Sequence, residues 1–201
     1  LTAVSSVIAF AFFALILRYF MVKPYLLLSL AFAAVPVIYI NSVTTMDYMF
    51  ALACMLASLY FTLLNRPLLA GLMLGLAVGF RITSAALLLP LAYWLITSSS
   101  PRRAIKPLLA LGISAGIVSV LCYLPVLKVY GLNFFSFYDN TAYPGLFDLA
   151  TLAVPKVWGI LGTLGLVGAG IAVLFNLKTI QALRAQPDRL KGVVLCLLWS
   201  V

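Results

Sequence analysis

Residues 65–96 read NRPLLAGLMLGLAVGFRITSAALLLPLAYWLI, and beyond the opening Asn65-Arg66-Pro67 the only charge in this stretch is Arg81. As one helix, residues 68–96 would extend about 45 Å at 1.5 Å per residue, well past the roughly 30 Å hydrocarbon layer of a bilayer. Basic segments flank the stretch at 65–67 and 97–106. Lys- and Arg-rich loops of a membrane protein gather on one face of the bilayer, so the chain between these two crosses twice or not at all. Arg81, followed by Thr83 and Ser84, supplies the break. The expectation is a hairpin of two short helices over 68–96, meeting near Arg81.

The pattern continues along the chain. Apolar runs at 1–17, 24–40, 48–64, 107–127 and 157–177, and a last one after 192, are separated by short polar or basic connections. Of 201 residues, 65% are hydrophobic and 8% charged, with a mean hydropathy of +1.19, against about 25% charged in a typical soluble domain. Backbone groups facing lipid need partners within their own segment, which favours helices. The alternation over segments of about 10 residues that marks a membrane β-barrel is absent. The expected fold is all-α: a polytopic α-helical transmembrane bundle of roughly seven to eight membrane segments. It forms one transmembrane domain over 1–201, expected to be truncated at both ends.

The net charge of +9 is carried by residues flanking apolar runs, not gathered on one polar face. That pattern points to membrane topology and away from nucleic acid. On this count the loops at 18–24, 65–67, 97–106 and 178–192 are cytoplasmic, and every acid except Asp188 lies outside. The aromatic-rich segment 128–156, carrying Asp139 and Asp148, becomes an extracytoplasmic loop. Its aromatics suit either a belt at the lipid boundary or a lid over a lipid-linked substrate. Cys54, Cys122 and Cys196 all sit inside apolar runs, with no CxxC and no His in the chain, and read as small packing residues.

Arg81 is the sharpest chemical feature, because an ionisable residue inside a membrane segment costs a few kcal/mol on insertion scales. It calls for an acidic partner or an anionic ligand, or else snorkels to lipid phosphate at the interface. Asp47, just ahead of the third run, orients a sugar hydroxyl or a bound cation, or pairs with Arg81. Alternatively it closes a capping box with Thr44 and complements the dipole of the following helix. Gly71, Gly75 and Gly79 recur every fourth residue and leave one helical face bare for a neighbouring backbone. Gly112 and Gly116 read the same way. With no His, and no Ser or Cys beside a base, nucleophilic catalysis of the triad type has no support. A phosphate-binding glycine loop is also missing.

Over residues 41–90 the chain resembles membrane glycosyltransferases of the GT-C superfamily, particularly dolichyl-phosphate-mannose protein mannosyltransferases and lipid A aminoarabinose transferases. The resemblance rests on NSVTTMDYMFAL, a polar connection ending in an acid, then the turn NRP, then AGLMLGLAVGFRITSAALLLP. It implies a multi-pass enzyme that transfers a sugar from a polyprenyl-phosphate-linked donor to an acceptor on the extracytoplasmic side. The membrane would be a bacterial inner membrane or one of endoplasmic-reticulum type. The resemblance also puts the catalytic base in a first external loop, which here would precede Leu1. Asp47, Arg81 and Asp139 are the substrate-binding candidates, Arg81 standing where some relatives carry Lys near the phosphate. An acid would deprotonate the acceptor, and a cation, Arg81 or a divalent metal ion, would offset charge on the departing lipid phosphate. A secondary transporter or lipid flippase, with Arg81 and Asp47 in its translocation cavity, is the competing expectation. A non-catalytic membrane subunit is a third.

Overall fold

A computed structural model describes residues 2–43, 47–98 and 101–131, together with 164 and 168. Asp139, Asp148, Cys196 and the basic segment 178–192 lie outside the described residues. Among the described residues every regular element is a helix, as expected for an all-α chain.

The elements are α1 (Thr2–Tyr19), α2 (Tyr25–Ala33), α3 (Pro36–Val43), α4 (Tyr48–Leu63), α5 (Pro67–Phe80), a 3-10 segment (Ile82–Leu87), α6 (Leu88–Ser98) and α7 (Pro101–Tyr130). The expected run 24–40 is divided because Pro36 has no N–H to continue the ladder of α2. Asn41 to Val43, expected in a polar connection, instead close α3. The basic segment 97–106 is mostly helical as well: Pro101 opens α7, a position its fixed φ favours.

α1 and α4 both stop in the same way. Met21 and Asn65 adopt φ of 55°. Met21 N–H donates to Arg18 O (2.9 Å) and Val22 N–H to Leu17 O (3.0 Å); Asn65 N–H donates to Thr62 O (3.0 Å) and Arg66 N–H to Phe61 O (2.9 Å). These are paired Schellman bonds, and they satisfy carbonyls that a helix end otherwise leaves orphaned.

Side-chain contacts fix the directions of the helices. Phe13 stacks on Phe32 at 4.3 Å, with Phe10 edge-on to the same ring, so α2 returns along α1. Ser58 Oγ donates to Ala70 O at 2.7 Å and Phe50 stacks on Phe80 at 5.4 Å, so α4 and α5 are antiparallel. α5 and α7 run parallel: a Cβ at Gly71 would strike Leu111 O and Ser114 Oγ. One at Gly75 would lie 2.7 Å from Ala115 O and 2.6 Å from Val118 Cβ, and one at Gly79 would lie 2.7 Å from Cys122 Cβ. Two helices of the same direction require the chain between them to come back, and residues 82–98 make that return. The hairpin is therefore splayed, with α6 packed on α7.

Gly112 and Gly116, by contrast, meet nothing among the described residues. The face of α7 turned to α5 carries Leu111, Ser114, Ala115, Val118 and Cys122, and the two glycines point away from it. The core gathers Leu56, Leu63, Leu74, Leu87, Leu91, Trp94 and Leu111 between the helices.

Among the described residues two helices, Thr2–Tyr19 and Ala104–Tyr130, are long and apolar enough to cross a membrane. α4 and α5, at 16 and 14 residues, are shorter. Large apolar side chains point outward from most of the helices, among them Leu30 at 69% exposure, Leu89 at 73% and Val120 at 57%.

The glycine contacts generate a paired prediction. Gly75→Ala should lower stability by about 1–3 kcal/mol through overpacking. Gly112→Ala should raise it or leave it unchanged, by up to about 1 kcal/mol from helix propensity. Thermal unfolding of both variants in detergent checks this; equal effects at the two sites would contradict the packing of α5 on α7.

Candidate functional site

Arg81 sits where α5 ends. Its N–H donates to Ala77 O at 2.9 Å, the last bond of the helix, after which φ −147° and ψ 116° take the chain out of helical geometry. Val78 O, orphaned by the break, accepts from Tyr123 Oη of α7 at 2.8 Å. Ser84 N–H then donates to Arg81 O at 2.9 Å and opens the 3-10 segment. A cation at a helix C-terminus also lies at the negative end of the macrodipole.

The antiparallel pairing of α4 and α5 brings the start of one to the end of the other. Above the Phe50–Phe80 stack, the Arg81 guanidinium lies 3.7 Å from the centroid of the Tyr48 ring. This is well inside cation–π range. The planar guanidinium matches the ring face and keeps its N–H donors free around its edge.

Beside this pair is a cleft of about 420 Å³. Phe32 of α2 and Ile38 of α3, with Met49, Leu52 and Met55 of α4, supply its apolar walls. Asn41, Thr83, Ser84 and Arg81 supply the polar groups. One fixed cation, two hydroxyls and an amide against apolar walls suit an amphipathic anion: a phosphate for the guanidinium, further oxygens for the neutral donors, and a hydrocarbon part for the walls.

The structure separates the other residues expected at the site. Asp47 is exposed, does not line the cleft, and makes no ion pair with Arg81; the Tyr48 ring takes that place. Asp47 occupies the N-cap of α4, one residue before the helix, and its side chain makes no capping bond. The expected capping box, with Asp47 in the first turn, is therefore corrected: α4 begins at Tyr48, too late for that register, and Thr44 lies outside the described residues. Asp139 lies outside them as well. Among the described residues no three His, Cys, Asp or Glu side chains converge, so this donor set does not fit a divalent metal ion.

Tyr48 and Asn41 are the site residues that sequence reasoning passed over. Tyr48 directly follows Asp47 at the expected outer boundary, where aromatic residues concentrate, and that position was the available signal. No protein-family model, curated protein or solved structure matches the chain.

Two contacts at the break are open to measurement. A double-mutant cycle of Tyr48→Leu and Arg81→Gln should give a coupling of about 0.5–2 kcal/mol. Tyr123→Phe, which strips Val78 O of its donor, should cost about 1–3 kcal/mol. Zero coupling in the cycle would mean that the ring does not hold the guanidinium.

Proposed function

We propose that the chain belongs to a multi-pass membrane glycosyltransferase that takes a sugar from a polyprenyl-phosphate carrier and passes it to an acceptor on the extracytoplasmic side. The cleft carries this proposal: an Arg with no acidic partner among the described residues, flanked by neutral hydrogen-bonding groups and apolar walls, is what a lipid phosphate bearing a sugar requires. The resemblance over residues 41–90 supports the same assignment.

The membrane setting draws support from four features. Among the described residues two helices have spanning length and composition, and large apolar side chains face outward on most helices. Several hydroxyls bond within their own helices, as in Ser6 to Thr2 O (2.9 Å), Ser29 to Tyr25 O (2.8 Å) and Ser119 to Ala115 O (2.8 Å), and so do not depend on water. The charges of the described side chains also fall at the two ends of the helices, with Arg18, Lys23, Arg66 and Lys106 at one and Asp47, Arg81 and Lys128 at the other. In this proposal α1, α2 with α3, α4, α5, the 82–98 return and α7 are six successive passes. The remainder of the roughly seven to eight falls outside the described residues.

In the proposed reaction the acceptor hydroxyl oxygen forms a bond to the anomeric carbon as the bond from that carbon to the phosphate oxygen breaks. The electron pair leaves with the phosphate, and the acceptor's proton passes to a carboxylate outside the described residues. Arg81 offsets the charge that grows on the departing phosphate. Thr83, Ser84 and Asn41 orient the sugar and phosphate oxygens.

A transporter or flippase for the same class of lipid is the second reading, favoured by the helix interrupted at Arg81. A transferase assay on the full-length protein with its polyprenyl-phosphate-sugar donor separates them. Arg81→Ala should reduce turnover about 100-fold or more, and Arg81→Lys should fall less, keeping the charge but losing the planar fork. Asp47→Asn tests the acid by charge alone, since Asp47 makes no capping bond. Normal turnover in Arg81→Ala removes Arg81 from the site. Carrier movement across liposomes with no glycosyl transfer favours the transporter.

A further inference from the structure

The opposite end of the α5–α7 pair carries a second cavity, a groove of about 590 Å³ between the start of α5 and the first third of α7. Its walls are Pro67, Leu68 and Leu69 on one side and Pro107 and Ala110 on the other, and its two charges, Arg66 and Lys106, come one from each side. Both are exposed. The parallel packing of α5 on α7 places them together, since Gly71 at the level of Leu111 sets Arg66 near the level of Lys106.

No acid among the described residues neutralises these charges. The one acid there, Asp47, is at the far end of α4, beyond the length of that helix from Arg66. α5 also begins without a side-chain cap and with a proline at its start, so the first-turn N–H groups of Leu68 and Leu69, residues that line the groove, have no acceptor within the helix. Two cations on different helices and an uncapped helix start together form an anion site, and the leucine and proline walls running from it suit hydrocarbon.

We propose that this groove binds an anionic glycerophospholipid, with the headgroup phosphate between Arg66 and Lys106 and an acyl chain along Leu68, Leu69 and Ala110. A zwitterionic lipid brings its own cation to the headgroup and fits less well beside two cations that no described acid neutralises. The bound lipid would hold the start of α5 against α7, at the end of the pair remote from Arg81. This inference rests on the membrane assignment and is independent of the transferase.

The test uses the full chain in detergent, presented with equal amounts of phosphatidylglycerol and phosphatidylcholine, with retained lipid counted by native mass spectrometry. The wild type should retain phosphatidylglycerol preferentially. R66Q/K106Q should lower that retention about tenfold, while R18Q/K23Q, at the same end but outside the groove, should not. Equal retention in R66Q/K106Q, or an equal loss in R18Q/K23Q, overturns the proposal. So does displacement of the lipid by inorganic phosphate as effectively as by dioctanoyl phosphatidylglycerol, which would leave the apolar walls without a role. If R66Q/K106Q fails to fold, photoactivatable phosphatidylglycerol on the wild type decides: crosslinks at 65–69 and 106–110 support the groove, and crosslinks elsewhere refute it. Alkaline carbonate washing keeps the two claims apart. Release of the chain from membranes refutes the membrane assignment, whereas a retained chain without phosphatidylglycerol preference refutes only the groove.

Discussion

α5 and α7 approach so closely that Gly71, Gly75 and Gly79 have no room for a Cβ, and the direction of that approach governs the rest of the molecule. Helices packed through glycine gain van der Waals contact along the whole seam, a source of stability that works without water. Because the seam is parallel, residues 82–98 must carry the chain back. The return needs a break, and the break falls at Arg81, where an extended residue and a 3-10 segment replace the helix. One packing preference thus brings Arg66 and Lys106 together at one end and frees Arg81 to lie over Tyr48 at the other.

Polar groups in the interior follow a consistent rule. Ser58 and Thr62 are fully buried, and their hydroxyls donate to Ala70 O and Ser58 O. Tyr123 supplies the donor that Val78 O loses at the break. Among the described residues no buried side-chain N or O lacks a partner. A helix broken beside an apolar exterior is stable only under that condition, because each unsatisfied polar group away from water costs roughly 1–3 kcal/mol.

The sequence revealed what depends on spacing and composition. The four-residue glycine repeat foretold a close helix contact, and the charge between two apolar runs foretold the break at Arg81. It did not reveal what depends on rotation about a helix axis. Gly112 and Gly116 have the same spacing as the α5 glycines, yet the face of α7 that meets α5 is set by Leu111, Ser114 and Val118. Asp47 drew attention as the acid before an apolar run, whereas the residue touching Arg81 is its neighbour Tyr48, the first residue of α4. A shift of one residue at a helix start changes which side chain faces inward, and helix boundaries are the least legible feature of a sequence.

The parallel seam puts the turn at 65–67 and the start of α7 at one end of the molecule and Asp47 and Arg81 at the other. Labelling with a membrane-impermeant thiol reagent tests that arrangement most directly. Asn65→Cys, Lys106→Cys, Asp47→Cys and Thr83→Cys would each be made singly in a chain whose native cysteines are replaced by alanine. On the proposed topology, positions 47 and 83 should label in intact cells, and 65 and 106 should label only after the membrane is opened. Labelling of 65 and 106 from opposite sides would contradict the return of the chain through residues 82–98, and with it the parallel packing of α5 on α7.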